Sequence, residues 1–113
     1  MALNELIRRR VEKLLGDYCE NRIPMHVRNK IKLGYGIRGN SVTLFEERKS
    51  YQGEEWIKTN IAQFRYNQDD NKWSLYWWRH TGRWYRYEDV KPNSNFEVLL
   101  EEVEKDPLCI FWG

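Results

Sequence analysis

The fifteen residues WSLYWWRHTGRWYRY, Trp73 to Tyr87, hold seven aromatic side chains and four basic ones, Arg79, His80, Arg83 and Arg86. Aromatic rings interleaved with guanidinium groups suit single-stranded nucleic acid: bases stack on the ring faces, and arginine meets phosphate or stacks in its turn. Trp, Tyr and Arg are also the residues that concentrate at protein interfaces. The same stripe at strand spacing is equally the signature of core packing, because aromatic side chains fit a half-buried pleated surface. What covers the stretch decides between these readings.

A second chemical signal is FEERK, residues 45–49. Glu47-x-Lys49 on a strand is the local form of the carboxylate and lysine of a common nuclease fold, and it defines the alternative reading of a metal-dependent hydrolase. Such a site needs a second carboxylate to share the metal. No acidic residue falls on a strand just before it, so Asp17 or Glu20 would have to come from the first helix. Glu46 and Arg48, two residues apart on the other face, read as an ion pair at the sheet margin, where charges pair with each other or gather around a ligand.

Other motifs carry less. GYGIRG, Gly34 to Gly39, has the spacing G-x-G-x-x-G, but a dinucleotide fingerprint must open a helix, and here a strand follows. Bare glycines at 34 and 36 instead leave room for Phe45 on the neighbouring strand to lie across them, or for another backbone to approach. His26 and His80 are the only histidines, and no Ser, His and Asp set is present, so no catalytic residue, metal ligand or cofactor is assigned.

Composition sets the frame for these signals. A chain of 113 residues is a single domain, 1–113, with one core. Nineteen Lys and Arg against seventeen Asp and Glu leave a net charge of +2, so nucleic-acid affinity would have to come from a local patch. Cys19 and Cys109 have neither metal-ligand spacing nor a disulfide framework and read as reduced core thiols of a cytoplasmic protein. The start, MALNELIRRRVEKLLGDY, is too regularly charged for a signal peptide or a membrane span.

Between Leu3 and Cys19, Leu3, Ile7, Val11, Leu14 and Tyr18 recur at helical spacing, with Leu6 and Leu15 widening the stripe. Arg8-Arg9-Arg10 lies four residues from Glu5 and Glu12, as on a solvated helix face. After a connector at Pro24 the period becomes two, and Gly39-Asn40 turns a hairpin that pairs Ile37 with Val42, Tyr35 with Leu44, Leu33 with Glu46 and Ile31 with Arg48. Beyond KSYQGEE a meander reads Trp56 to Tyr66, Trp73 to Arg79 and Arg83 to Tyr87. SNFE, residues 94–97, has the form of a capping box in which Ser94 and Glu97 bond reciprocally, opening a helix buried through Phe96, Leu99, Leu100 and Val103. Asp106-Pro107 ends it, and LCIFWG is a candidate sixth strand.

The fold expected is therefore α+β: a five- to six-stranded, mainly antiparallel, curved meander sheet with an N-terminal and a C-terminal helix packed on one face. If residues 80–82 form a three-residue loop with Gly82 left-handed, then Trp73, Leu75, Trp77, Tyr85 and Tyr87 share the core face with Ala62, Phe64 and Tyr66. The opposite face then takes Ile61, Gln63, Arg65, Tyr76, Trp78, Trp84 and Arg86. A two-residue Thr81-Gly82 turn would instead put Trp84 and Arg86 on the core side. In either register two helices hide only one aromatic face, so curvature, a partner or a ligand must meet the other.

The successions RIPMHVRNKIKLGYGIRGNSVTLFEERKSY, IAQFRYNQDDNKWSLYWWRHTGRWYRY and LLEEVEKDPLCIFWG resemble a small bacterial family known as domain of unknown function 3024. The resembling landmarks are Glu46 and Arg48, Ala62-x-Phe64-Arg65, Trp73-x-Leu75-Tyr76, Trp84, and the ending from Asp106-Pro107 to Phe111-Trp112-Gly113. Lys49 departs from the family's pattern, which tends to carry proline there. The resemblance implies a stand-alone bacterial domain and transfers no catalytic residue.

The functional expectation is a small non-enzymatic binding module. Its candidate residues are Arg65, Tyr76, Trp78, Trp84 and Arg86 on one sheet face, with Glu46 and Arg48 at the margin. The partner is single-stranded nucleic acid or a protein, including a second copy of the chain, and no membrane is involved.

Overall fold

The computed structural model describes residues 3–50 and 53–112. The chain runs through helix α1 (Glu5–Arg22), a short 3-10 turn at Met25–Val27, strands β1 (Ile31–Arg38), β2 (Ser41–Lys49), β3 (Trp56–Asn67), β4 (Lys72–Arg79) and β5 (Arg83–Arg86), and helix α2 (Phe96–Lys105). The five strands form one antiparallel meander in the order β1-β2-β3-β4-β5. Tyr51 and Gln52, in the connector before β3, lie outside the described residues. No helix among the described residues is long and apolar enough to cross a membrane.

The first hairpin has the register that alternation predicts, and the last takes the three-residue turn of the two that were open. Ile37 faces Val42, and Ile31 faces Arg48. Gly39, with φ 61°, takes the left-handed backbone that a tight turn demands. Asn40 then ties this turn to the end of β3 through Nδ2 to the Tyr66 carbonyl at 2.7 Å. At the last hairpin, residues 80–82 are a three-residue loop with Gly82 at φ 81°, and Trp77 pairs with Tyr85 and Trp78 with Trp84.

Both helices pack on one face of the sheet. Val42, Leu44, Ala62, Phe64 and Leu75 are buried there, under Val11 and Leu15 of α1 and Phe96, Leu99 and Val103 of α2. Phe96 sits between Phe64 and Trp73, with ring centroids 4.6 and 5.0 Å away. Tilted and edge-on contacts of this kind add to the burial of the rings themselves.

Several expectations give way. Leu6 is 79% exposed: twelve residues at about 100° each leave it about 120° round the helix from Tyr18, off the buried stripe. Ile61 is buried in the core, not on the opposite face, because β3 bulges there. Leu44 pairs with Ala62 and Phe45 with Asn60, so Ile61 is the unpaired extra residue and the strand changes its inward parity across it. Tyr85 is 37% exposed; it stacks on Trp77 beyond the reach of the helices, with Arg79 lying 4.8 Å over its ring. Cys109 is exposed and only Cys19 packs against the core.

The capping box is replaced by a shorter device. Asn95 is the N-cap, its Oδ1 accepting from the Glu97 amide at 3.1 Å, while the Glu97 carboxylate turns to Arg10 on α1 at 2.5 Å. No sixth strand forms among the described residues. The tail is instead gathered by Asp106, whose carboxylate accepts from the amides of Ile110 (2.8 Å), Phe111 (3.1 Å) and Trp112 (2.9 Å). Trp112 then donates its indole N–H to the Val103 carbonyl at 3.0 Å and lies under the Arg22 guanidinium.

Candidate nucleic-acid interface

The face opposite the helices is built by period-two alternation from all five strands. One row crosses the whole sheet: Gly36 pairs with Thr43, Thr43 with Gln63, Gln63 with Tyr76 and Tyr76 with Arg86. Along it, Gln63 donates to the Thr43 hydroxyl at 2.9 Å, and Arg65 donates through Nε to the Gln63 amide oxygen at 2.6 Å. The Arg65 guanidinium lies 3.9 Å over the Tyr76 ring, a stacked pose that keeps its charge while covering apolar area.

Trp78 and Trp84 meet edge to face with centroids 4.9 Å apart. Both are half-buried, at the strand parity opposite to Trp77, which packs against the core. Arg86 is exposed and reaches the Ser74 hydroxyl at 3.5 Å. Arg65, Tyr76, Trp78, Trp84 and Arg86 thus share one surface, while Glu46 and Arg48 do not join it. That pair bonds at 2.5 Å on the helix-bearing face, at the margin that the helices leave open. The hydrogen bond from Arg48 to the Glu46 carboxylate raises the Arg48 pKa further above its already high ordinary value.

The other half of the open face carries residues that alternation alone did not single out. Lys32 lies 4.3 Å over the Trp56 ring, and Lys58 lies 4.0 Å over Phe45. Phe45, Lys58, Asn60 and Thr43 surround a trough of about 300 Å³ together with Gly36 and Arg38 of β1 and Trp84 of β5. In a flat sheet β1 and β5 would stand about 19 Å apart. Sharing one trough requires the sheet to coil toward this face, which the bulge at Ile61 assists. The parity change also explains why Lys58 and Asn60 were hidden from the sequence: extending the Ala62, Phe64 and Tyr66 alternation backwards would turn them to the core.

Glu47 stands between Lys32 and Lys58 as their cross-strand neighbour, and Lys49 pairs with Glu54 at 3.0 Å. Among the described residues no three His, Cys, Asp or Glu side chains converge as a metal would need. A cavity of about 540 Å³ lies between α1 and α2 beside Leu14, Tyr18 and Leu100. Its carboxylates are largely engaged already, Glu97 by Arg10, Glu101 by Lys105 and Glu104 by Arg22.

The molecule is thus an α+β domain whose two helices cover one face of a coiled meander and leave an aromatic and basic face open. By sequence it belongs to the family described as Domain of unknown function (DUF3024), whose model matches residues 3–113. Searches among curated proteins and among solved structures give no match.

Proposed function

We propose that the protein is a non-enzymatic module that binds single-stranded nucleic acid on the open sheet face. The observation that carries this reading is a set of cations outside ion pairs that shares one sheet face with aromatic rings. The basic residues in ion pairs among the described residues are Arg8, Arg9, Arg10, Arg22, Arg48, Lys49 and Lys105. Lys32, Arg38, Lys58, Arg65 and Arg86 are absent from that set, and they share their face with Phe45, Trp56, Tyr76, Trp78 and Trp84. With Glu47 set against these five cations, a nearly neutral chain still presents a locally positive field that phosphate complements, beside ring faces worth about 1–3 kcal/mol per stacked base. Arg65 serves both needs: its stacking on Tyr76 fixes the guanidinium without neutralising it. We place this module in the bacterial cytoplasm, where two unbridged cysteines stay reduced.

The test is fluorescence anisotropy of a labelled oligonucleotide of about ten nucleotides, titrated between about 20 and 200 mM salt. Binding at low salt is expected to weaken as salt rises, with a log–log slope of about −2 to −3 if three or four phosphates are neutralised. Arg65→Ala with Arg86→Ala should reduce that slope by roughly 1.4. No binding at the lowest salt, together with a sedimenting dimer that buries Trp78 and Trp84, would replace this reading with a protein interface.

A further inference from the structure

We infer that the trough between Trp84 and Phe45 is the seat of one nucleobase with its adjoining phosphate. This rests on the strand-binding reading of the open face and narrows it to a single position. Beside the rings of this face a cavity of about 300 Å³ opens, at the small end of organic-ligand sites and enough for one nucleotide.

Gly36 lines the trough. A Cβ built there would meet nothing within 4 Å, whereas one at Gly34 would strike the Phe45 ring. The two glycines therefore differ in kind: Gly34 is already covered from above, and Gly36 leaves a hollow that any other side chain would fill.

Trp84 supplies the wall. Its ring is braced edge-on by Trp78 at 4.9 Å, so little rotamer freedom remains to be lost when a base stacks on it. Arg38 and Lys58 stand at the rim without an ion-pair partner among the described residues, where the phosphate of a seated nucleotide would meet them. Asn60 and Thr43 line the same trough. The Asn60 amide offers both donors and an acceptor in one plane, matching the edge of a base.

A base with its phosphate arrives either within a strand or as a free nucleotide, and the experiment separates the two. Gly36→Val fills the trough from a position whose backbone is not left-handed, so the fold, checked by thermal melting, should survive. Labelled strands with ordinary bases and strands made wholly of abasic sites are titrated by anisotropy, and a nucleoside 5′-monophosphate by calorimetry. The wild type should prefer the base-bearing strand, and Gly36→Val should weaken its binding by about 5- to 150-fold, the equivalent of one lost stack. It should also cease to distinguish the abasic strand.

If folded Gly36→Val binds strands as the wild type does, the seat is overturned and the wider strand reading stands. Nucleotide binding that Gly36→Val abolishes, with no strand binding by the wild type, keeps the seat and overturns the strand reading. Binding of neither overturns both. Should Gly36→Val not fold, Trp84→Leu takes its place, since it keeps apolar packing on Trp78 and removes the stacking ring. Undiminished strand binding by that variant overturns the seat.

Discussion

The ring of Phe45 covers Gly34 on the neighbouring strand so closely that its Cε1 and Cζ would lie 2.8 Å from a Cβ at position 34. Real side chains do not approach that near, so Gly34→Ala must push the ring aside and loosen its contact with Lys58 at 4.0 Å. The expected cost is about 1–2 kcal/mol, the lower part of the overpacking range, because the free end of the ring can swing. Gly36→Ala meets no such obstacle and should be neutral or stabilising by up to about 1 kcal/mol, through the unfolded chain. Urea unfolding of both variants checks the contrast, and Gly34→Ala should cost less when Phe45 is also alanine, as coupled neighbours require.

The same strands mark where the sequence was legible. Period-two alternation from Ile31 to Arg48 and the turn at Gly39 were enough to set the first hairpin register, whereas the last hairpin stayed open between a two- and a three-residue turn, because both faces of its strands are aromatic. Arg65, Tyr76, Trp78, Trp84 and Arg86 share one face only in the three-residue register, the one that Gly82 at φ 81° adopts. The trough was not legible, since Lys58, Thr59 and Asn60 are all polar and carry no parity, and the bulge at Ile61 has no signature of its own. Tyr85 failed differently: its parity was right, but how far a helix reaches over a strand is a tertiary quantity. The cap at Asn95 was missed because Glu97 had a stronger partner in Arg10, which lies 87 residues away in the chain.

Asp106 holds the C-terminal tail through three backbone amides while itself adopting φ 42°. Aspartate tolerates that left-handed geometry better than alanine does, and a charged acceptor serving several amides is worth more than a neutral one. Asp106→Ala should therefore lower stability by about 2–4 kcal/mol, combining lost hydrogen bonds with backbone strain. Asp106→Asn should fall between, keeping the backbone preference and one acceptor oxygen but turning an amide donor toward an N–H. Thermal melts ordered Asp, Asn, Ala from highest to lowest midpoint are the expected result; equal midpoints for Asn and Ala would deny the carboxylate its role.

The two cysteines should react at very different rates. Burial pushes the Cys19 thiol from 9.0 up to about 11, so near pH 8 its thiolate fraction falls about a hundredfold below that of an unshifted thiol. Cys109 is exposed. Iodoacetamide should modify Cys109 first and Cys19 in a much slower phase, and denaturant should merge the two. Mass spectrometry of timed samples reads the order directly; comparable rates in the folded protein would mean that Cys19 is not held against the core.

Tyr87 joins the end of the meander to α2 by donating its hydroxyl to Glu102 Oε2 at 2.7 Å, with Phe111 packed on its ring. Burial first, then the hydrogen bond and charge of Glu102, then Asp89 and Asp106, raise its pKa above the ordinary 10.0. Tyr18 is raised to about 12, chiefly by burial and then by Glu104. A group whose folded pKa exceeds its unfolded value stabilises the fold below the unfolded pKa, and that contribution is lost as pH rises through the folded one. Stability contributed by these phenols should thus be constant up to about pH 10 and decline above it. Tyr87→Phe should cost about 1–2 kcal/mol at neutral pH, because Glu102 loses its donor, yet show a shallower decline above pH 10. Urea midpoints at pH 7 and near pH 11 test both halves, and an equally steep alkaline loss in the variant would place the linked proton on another group.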